Sequence, residues 1–150
     1  DVGAGTGYFE PHLARAVGAT GRVFALDVEP SMVEFIRKRA ARDHMDNVEA
    51  KAVSPADPGL APASVDRVLV VDTWHHLDDR KAYAAKLAAA LSPGGMVVVV
   101  DFTKEAQHGP PPAHRLSAAE VSAELEAGGL RARIAEEDLP EQYVVIAVRP

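Results

Sequence analysis

Strand-like and helix-like segments alternate along almost the whole of this 150-residue chain, and that alternation limits its fold more than any other feature. Consecutive parallel strands need a long crossover, usually a helix, and such crossovers are right-handed. A strand–helix repeat therefore predicts an α/β, Rossmann-like doubly wound sheet, mostly parallel, with helices on both faces. Ligands of such sheets sit beyond the carboxyl ends of the strands, where strand order reverses. One domain of 150 residues is expected.

A glycine-rich opening, Gly3 to Gly7, leads into a predicted helix over 8–17, stopped by Gly18 and Gly21. Residues 22–26 read as a strand closed by Asp27. Pro30 suits a first helical turn, and Met32, Val33, Ile36 and Ala40 form one apolar face behind it. Residues 47–53 are a weaker strand, followed by a loop broken by Pro55, Pro58 and Pro62. A valine-rich strand is predicted over 65–72, a helix over 79–91, a turn at Ser92-Pro93-Gly94-Gly95 and a buried strand over 96–102. After a loop over 103–114, Ser117 and Glu120 form a capping box that starts a helix ending at Gly128-Gly129. Residues 130–135 and 143–148 read as two closing strands. No helix separates them, so the last strand is expected to be antiparallel.

Composition removes several function classes. Hydrophobic residues at 47% and charged residues at 25% are those of an ordinary globular domain. Sixteen lysines and arginines against 22 aspartates and glutamates leave a net charge of −6. That balance opposes a phosphate-backbone footprint or an anionic membrane partner. With no cysteine, disulfides, thiolate metal sites and a cysteine nucleophile are excluded. The longest apolar run, Met96 to Val100, is far too short to span a bilayer.

The opening Asp1-Val2-Gly3-Ala4-Gly5-Thr6-Gly7 places glycines at alternate positions, where backbone can turn tightly and approach a ligand. The helix behind them aims its free amides the same way. The dinucleotide fingerprint wants a third glycine where Tyr8 stands, so the match to a pyrophosphate clamp is poor, and glycine loops also end ordinary strands. Asp27 adds weight, because an acid about 20 residues after the glycines can accept hydrogen bonds from ribose hydroxyls. Its other role would be a helix N-terminal acid near Pro30.

With these segments, DVGAGTGYF, VFALDVEPSMVEFIRKRA, VDRVLVVDTWHHLDD and LAAALSPGGMVVVVDF, the chain resembles the class I S-adenosylmethionine-dependent methyltransferases over nearly its whole length. The resemblance implies S-adenosylmethionine as cofactor. Its methionine part would lie on Asp1, Gly3, Ala4 and Gly5, its ribose on Asp27, and its adenine by Val28 and Met32. Asp72 and Thr73 would face the methyl group. Where many relatives carry an aspartate near the adenine amine, the best-aligned residue is Ser54, with Asp57 nearby. The family's strand order is 3-2-1-4-5-7-6, and its central first strand, with the helices before it, is expected to be almost entirely missing from this chain.

Methyl transfer to a nucleophilic acceptor runs largely on alignment, and a base is needed for weak acceptors such as hydroxyls. His75 and His76 are the candidate bases. Adjacent side chains diverge, and no carboxylate stands at a clear spacing to orient either ring, although Asp78 and Asp79 are near in sequence. The sequence thus favours positioning over a base. His108 and His114 flank the triple proline without metal-ligand spacing, so no metal is expected, and the segment 108–115 reads either as a semi-rigid edge of the acceptor pocket or as a surface crossover. Asp72-Thr73-Trp74-His75 stands where nucleic-acid methylating relatives show Asn/Asp-Pro-Pro-aromatic, so the expected acceptor is a small molecule, with no nucleic acid or membrane partner and a cytoplasmic setting. The alternatives are an NAD(P)-dependent oxidoreductase and a non-catalytic cofactor-binding fragment.

Overall fold

A computed structural model describes residues 1–150. Packing divides the chain into two compact units, Asp1–Pro55 and Ala56–Pro150.

The first unit holds α1 (Glu10–Val17), β1 (Val23–Asp27), α2 (Pro30–Arg42) and β2 (Val48–Ala52). β1 and β2 are parallel, paired from Val23↔Val48 to Asp27↔Ala52. Val2 adds a parallel bridge to Leu26, whose amide donates to the Asp1 carbonyl. α2 begins where Pro30 fixes the first turn behind an extended Glu29. It buries Val33, Ile36 and Ala40, spaced by three and four as a helical face requires. Val33 and Ile36 pack with Ala4, Ala25 and Ala50 into the unit's core. α1 starts at Glu10, two residues later than expected, because the turn built on the glycines continues beyond Gly7.

The second unit holds β3 (Val65–Val71), α3 (Arg80–Ala90), β4 (Leu91–Phe102), α4 (Ala118–Ala127), β5 (Arg131–Ile134) and β6 (Gln142–Val148). Its strand order is β3-β4-β6-β5. β3 and β4 are parallel, and β6 runs antiparallel to both β4 and β5, as the missing crossover helix predicts. The family order thus appears as two pieces, β2-β1 in the first unit and β3-β4-β6-β5 in the second. The expected turn at 92–95 lies inside β4, as an irregularity rather than a break. Pairing steps from Val65↔Leu91 to Arg67↔Met96, so the intervening residues bulge out around Gly94 at φ 75°.

Alternate residues of the central strands, Val68 and Val70, Val97 and Val99, Val145 and Ala147, are buried. Leu87 of α3 and Val121 and Leu125 of α4 are also fully buried. Gly128 sits at the α3–α4 contact, where a Cβ would lie 2.5 Å from the Ala84 Cβ. Ser117 and Glu120 form the expected reciprocal capping box at the start of α4.

Candidate functional site

In the first unit, the carboxyl end of β1 carries the candidate cofactor residues. Asp27 is 8% exposed, and its two oxygens accept the Gly5 amide at 2.8 Å and the Glu29 amide at 2.9 Å. Each oxygen keeps a further lone pair, so the carboxylate is aimed and still able to accept from a diol. Gly5 adopts φ 55°, and nothing lies within 4 Å of where its Cβ would be, which leaves an open cradle above backbone amides. The Leu26 carbonyl takes both the Gly3 and Ala4 amides, and Arg39 donates to the Gly7 carbonyl at 2.6 Å, fixing the loop's path. Val28 is exposed, and half-buried Met32 lies in the first turn of α2. Ser54 follows β2 at the same end of the pair, beside the Asp27–Ala52 register position. Gly3, Ala4, Gly5, Asp27 and Ser54 are therefore gathered at one end of one sheet, whereas Asp1 lies beside the middle of β1, its amino group donating to the Phe24 carbonyl and its carbonyl accepting the Leu26 amide. Asp57 is engaged elsewhere, by Lys86 Nζ at 3.0 Å and the Gly59 amide at 2.8 Å.

In the second unit, β3 ends at Val71, and Asp72, which follows it, adopts φ 50°. A non-glycine residue there is strained, and such strain collects at functional sites. Gln142 Nε2 donates to Asp72 Oδ1 at 2.7 Å, and burial, with the Asp101 charge adding, pushes the Asp72 carboxyl above its ordinary range. Thr73 Oγ1 donates to the Val71 carbonyl at 2.8 Å. A single 3₁₀ turn, Trp74–His76, follows.

The two histidine side chains do not diverge, since their rings lie side by side, and the expectation that no carboxylate orients either ring is corrected as well. His75 Nδ1 lies 2.8 Å and 2.9 Å from the two oxygens of Asp101. His76 is exposed, its ring 4.1 Å from that of His75 and tilted by 45°. Partial burial lowers the His76 pKa, with His75 and His114 acting in the same direction and Asp101 opposing. Asp101 was missed because it lies 26 residues from His75; the available signal was an aspartate at the end of each of two adjacent predicted parallel strands.

The segment after β4 is organised by one guanidinium: Arg115 donates to the carbonyls of Pro110 at 2.8 Å, Lys104 at 3.2 Å, His108 at 3.3 Å and also Ala106. His108 Nδ1 is 2.9 Å from Glu141 Oε2, and the two together tether this segment to the residues before β6. No group of three or more metal-ligating side chains comes together. No helix is long and apolar enough to cross a membrane.

Residues 1–95 match the model of the methyltransferase-domain family, a range that runs through both units. A crystallised SAM-dependent methyltransferase from Aquifex aeolicus superposes with a TM-score of 0.93 at 30% identity, over 100% of this chain and 80% of that one. Among curated proteins, aklanonic acid methyltransferase DauC of Streptomyces is 30% identical over 97 residues, covering 65% of this chain and 44% of the relative. The ubiquinone/menaquinone biosynthesis C-methyltransferase UbiE of Klebsiella pneumoniae is 27% identical over 105 residues, covering 69% and 42%. The chain thus spans under half the length of these two curated relatives.

Proposed function

The chain belongs to the class I S-adenosylmethionine-dependent methyltransferase family, and from that premise we propose that it binds S-adenosylmethionine and directs its methyl group to a small-molecule acceptor, with residues 1–150 acting as one methyltransferase domain. The observation that carries this reading is Asp27, held by the Gly5 and Glu29 amides with lone pairs to spare beside an open glycine cradle.

In this reading Asp27 holds the ribose diol, Asp1, Gly3, Ala4 and Gly5 hold the methionine part, and Val28, Met32 and Ser54 flank the adenine. The resemblance assigns Asp72 and Thr73, which follow β3, to the methyl group. When bound, S-adenosylmethionine supplies an electrophilic methyl: the acceptor's electron pair forms the new bond to carbon, the carbon–sulfur bond breaks, and its pair stays on sulfur. The protein's share is alignment, which by itself removes much of the barrier. A small-molecule acceptor is supported by the net charge of −6 and by two relatives named for aklanonic acid and for ubiquinone and menaquinone.

Calorimetric titration with S-adenosylmethionine and with NAD, followed by transfer assays on an acceptor panel, tests the proposal. Binding of the sulfonium but not of NAD, followed by methyl transfer, is the expected result. Binding of NAD alone would replace it with the oxidoreductase reading. Sulfonium binding without transfer to any acceptor would leave a non-catalytic binding module.

A further inference from the structure

Arg39 reaches from the last turn of α2 onto the glycine loop. One nitrogen, Nη1, donates to the Thr6 carbonyl at 3.2 Å and to the Gly7 carbonyl at 2.6 Å. Its Nε lies 3.7 Å from Asp43, the residue that caps α2, so the guanidinium is held on both sides. Arg39 bonds to none of the residues assigned above to the cofactor; it acts on the two peptides that follow them. Gly7 is fixed from another side as well. It adopts φ 75°, and a Cβ there would lie 3.2 Å from both Glu10 Oε2 and Ile36 Cγ1, so its backbone packs against the Glu10 carboxyl and α2. All peptide bonds are trans, and a trans peptide points its N–H opposite to its C=O. With the Gly7 carbonyl turned to Arg39, the Tyr8 N–H is turned away from it, and that amide donates to no acceptor in the protein. The charged groups facing the guanidinium are Asp43 and, at the start of α1, Glu10.

On the methyl-transfer reading above, we propose that Arg39 is a positioning residue of the cofactor site: by holding the Thr6 and Gly7 carbonyls it shapes the glycine loop for the amino-acid end of S-adenosylmethionine, while the nucleoside end is left to Asp27. The amino-acid end carries a carboxylate and an ammonium, and backbone groups bind such charges well only when their directions are set beforehand. A loop that must be ordered during binding gives up affinity for that ordering. Because a single nitrogen bridges both carbonyls, the task needs a cation with more than one N–H at that point, which a lysine ammonium also supplies.

The test uses two thioether nucleosides, S-adenosylhomocysteine and 5′-methylthioadenosine. They share adenine, ribose and sulfur, and only the first has the amino-acid end. Calorimetry on the full chain compares wild type with Arg39→Met, which keeps the stem and removes the donors. S-adenosylhomocysteine should bind about tenfold or more weakly to the variant, the scale of a lost charge-assisted hydrogen bond, and 5′-methylthioadenosine should stay within about twofold. Arg39→Lys should recover most of the lost affinity. The same loss should appear when Arg39→Met is made in a Glu10→Gln background. Wild type gives a readout that needs no variant: in amide ¹H–¹⁵N spectra the Tyr8 signal should move with S-adenosylhomocysteine and stay in place with 5′-methylthioadenosine. Equal weakening of both nucleosides overturns the proposal, as does unchanged affinity for both, or a lysine variant as weak as the methionine one. A loss that vanishes in the Glu10→Gln background overturns it too, since Arg39 would then act by neutralising Glu10. If Arg39→Met does not fold, the wild-type spectra decide, and equal Tyr8 shifts with both nucleosides overturn it. Loss of the premise looks different: wild type that binds neither nucleoside nor S-adenosylmethionine overturns the methyl-transfer reading itself, whereas binding that ignores Arg39 overturns only the positioning role.

Discussion

Asp72 and Asp101 are neighbours at the carboxyl ends of two parallel strands, because Val71 pairs with Val100 and the Asp72 amide donates to the Val100 carbonyl at 2.9 Å. Two carboxylates so placed repel each other, and the structure gives each its own partner: Gln142 for Asp72, His75 for Asp101. The separation assigns different tasks. Asp101 is saturated by N–H donors, while Asp72 keeps one oxygen without a partner and a strained backbone.

Asp72→Asn should stabilise the protein at neutral pH and cost activity. Asparagine tolerates φ 50° better than most residues, and its oxygen still accepts from Gln142. Burial raises the Asp72 pKa in the folded state, so the wild type loses stability as pH climbs from the ordinary carboxylate range through that raised value. Asparagine does not titrate. The variant's melting temperature should therefore gain on that of the wild type as pH rises from about 4 to 8. A constant difference across that range would remove Asp72 as the cause.

Asp27→Ala should weaken S-adenosylmethionine binding at least tenfold, since charge-assisted hydrogen bonds contribute about 1.5–3 kcal/mol each. The structure adds a cost to the fold. The Gly5 and Glu29 amides both lose their acceptor, so a stability loss of about 1–3 kcal/mol should accompany the affinity loss. Calorimetry and denaturant melts separate the two. Unchanged affinity would take Asp27 out of the cofactor site.

Glu10 gives a second pH signature. It opens α1, is fully buried, and neither carboxyl oxygen has a hydrogen-bond partner. Burial pushes its pKa up, opposed by the backbone and by Arg39. A raised folded-state pKa favours the native state at low pH, and that advantage is lost as pH rises through it. Glu10→Gln keeps the shape and removes the titration. As pH rises from the ordinary carboxylate range to pH 8, the wild type should therefore lose more stability than the variant. Parallel stability profiles would show that Glu10 does not titrate in this window.

The first-unit site was legible in the sequence because it is local. A glycine loop, one helix, one strand and an acid follow each other within 27 residues, and their spacing alone places Asp27 over the loop. The second-unit site is built by register. Nothing near His75 in sequence holds its ring; the neighbouring Asp78 and Asp79 do not, and Asp79 instead caps α3 by accepting the Ala82 amide. Asp101 reaches the ring only because β3 and β4 pair in parallel with Val71 level with Val100. The turn at 92–95 misleads for a related reason: Leu91 already pairs with Val65, so glycines that punctuate a sequence bulge within a strand instead of ending it. The α4 capping box was readable because both of its partners lie within four residues.

Glu124 ties this turn to α4. Its Oε2 accepts from Trp74 Nε1 at 2.9 Å, and both its oxygens lie 2.9 Å from Arg80 Nε. Trp74, the only tryptophan, is fully buried and begins the turn that presents His75. Glu124→Ala would leave the indole N–H buried without an acceptor, a cost of about 1–3 kcal/mol. Arg80 can recover hydration, because its side chain is 26% exposed, so its lost ion pair should add little. Glu124→Gln keeps an oxygen for the indole and should therefore lose less than half as much. Urea melts followed by Trp74 fluorescence measure both variants directly. Because the turn carries His75, Glu124→Ala should also loosen the His75 ring, seen as a weakened Nδ1–H signal at pH 8, while S-adenosylmethionine affinity stays within twofold. Equal losses from Ala and Gln would mean that the Arg80 ion pair, and not the indole hydrogen bond, holds the turn in place.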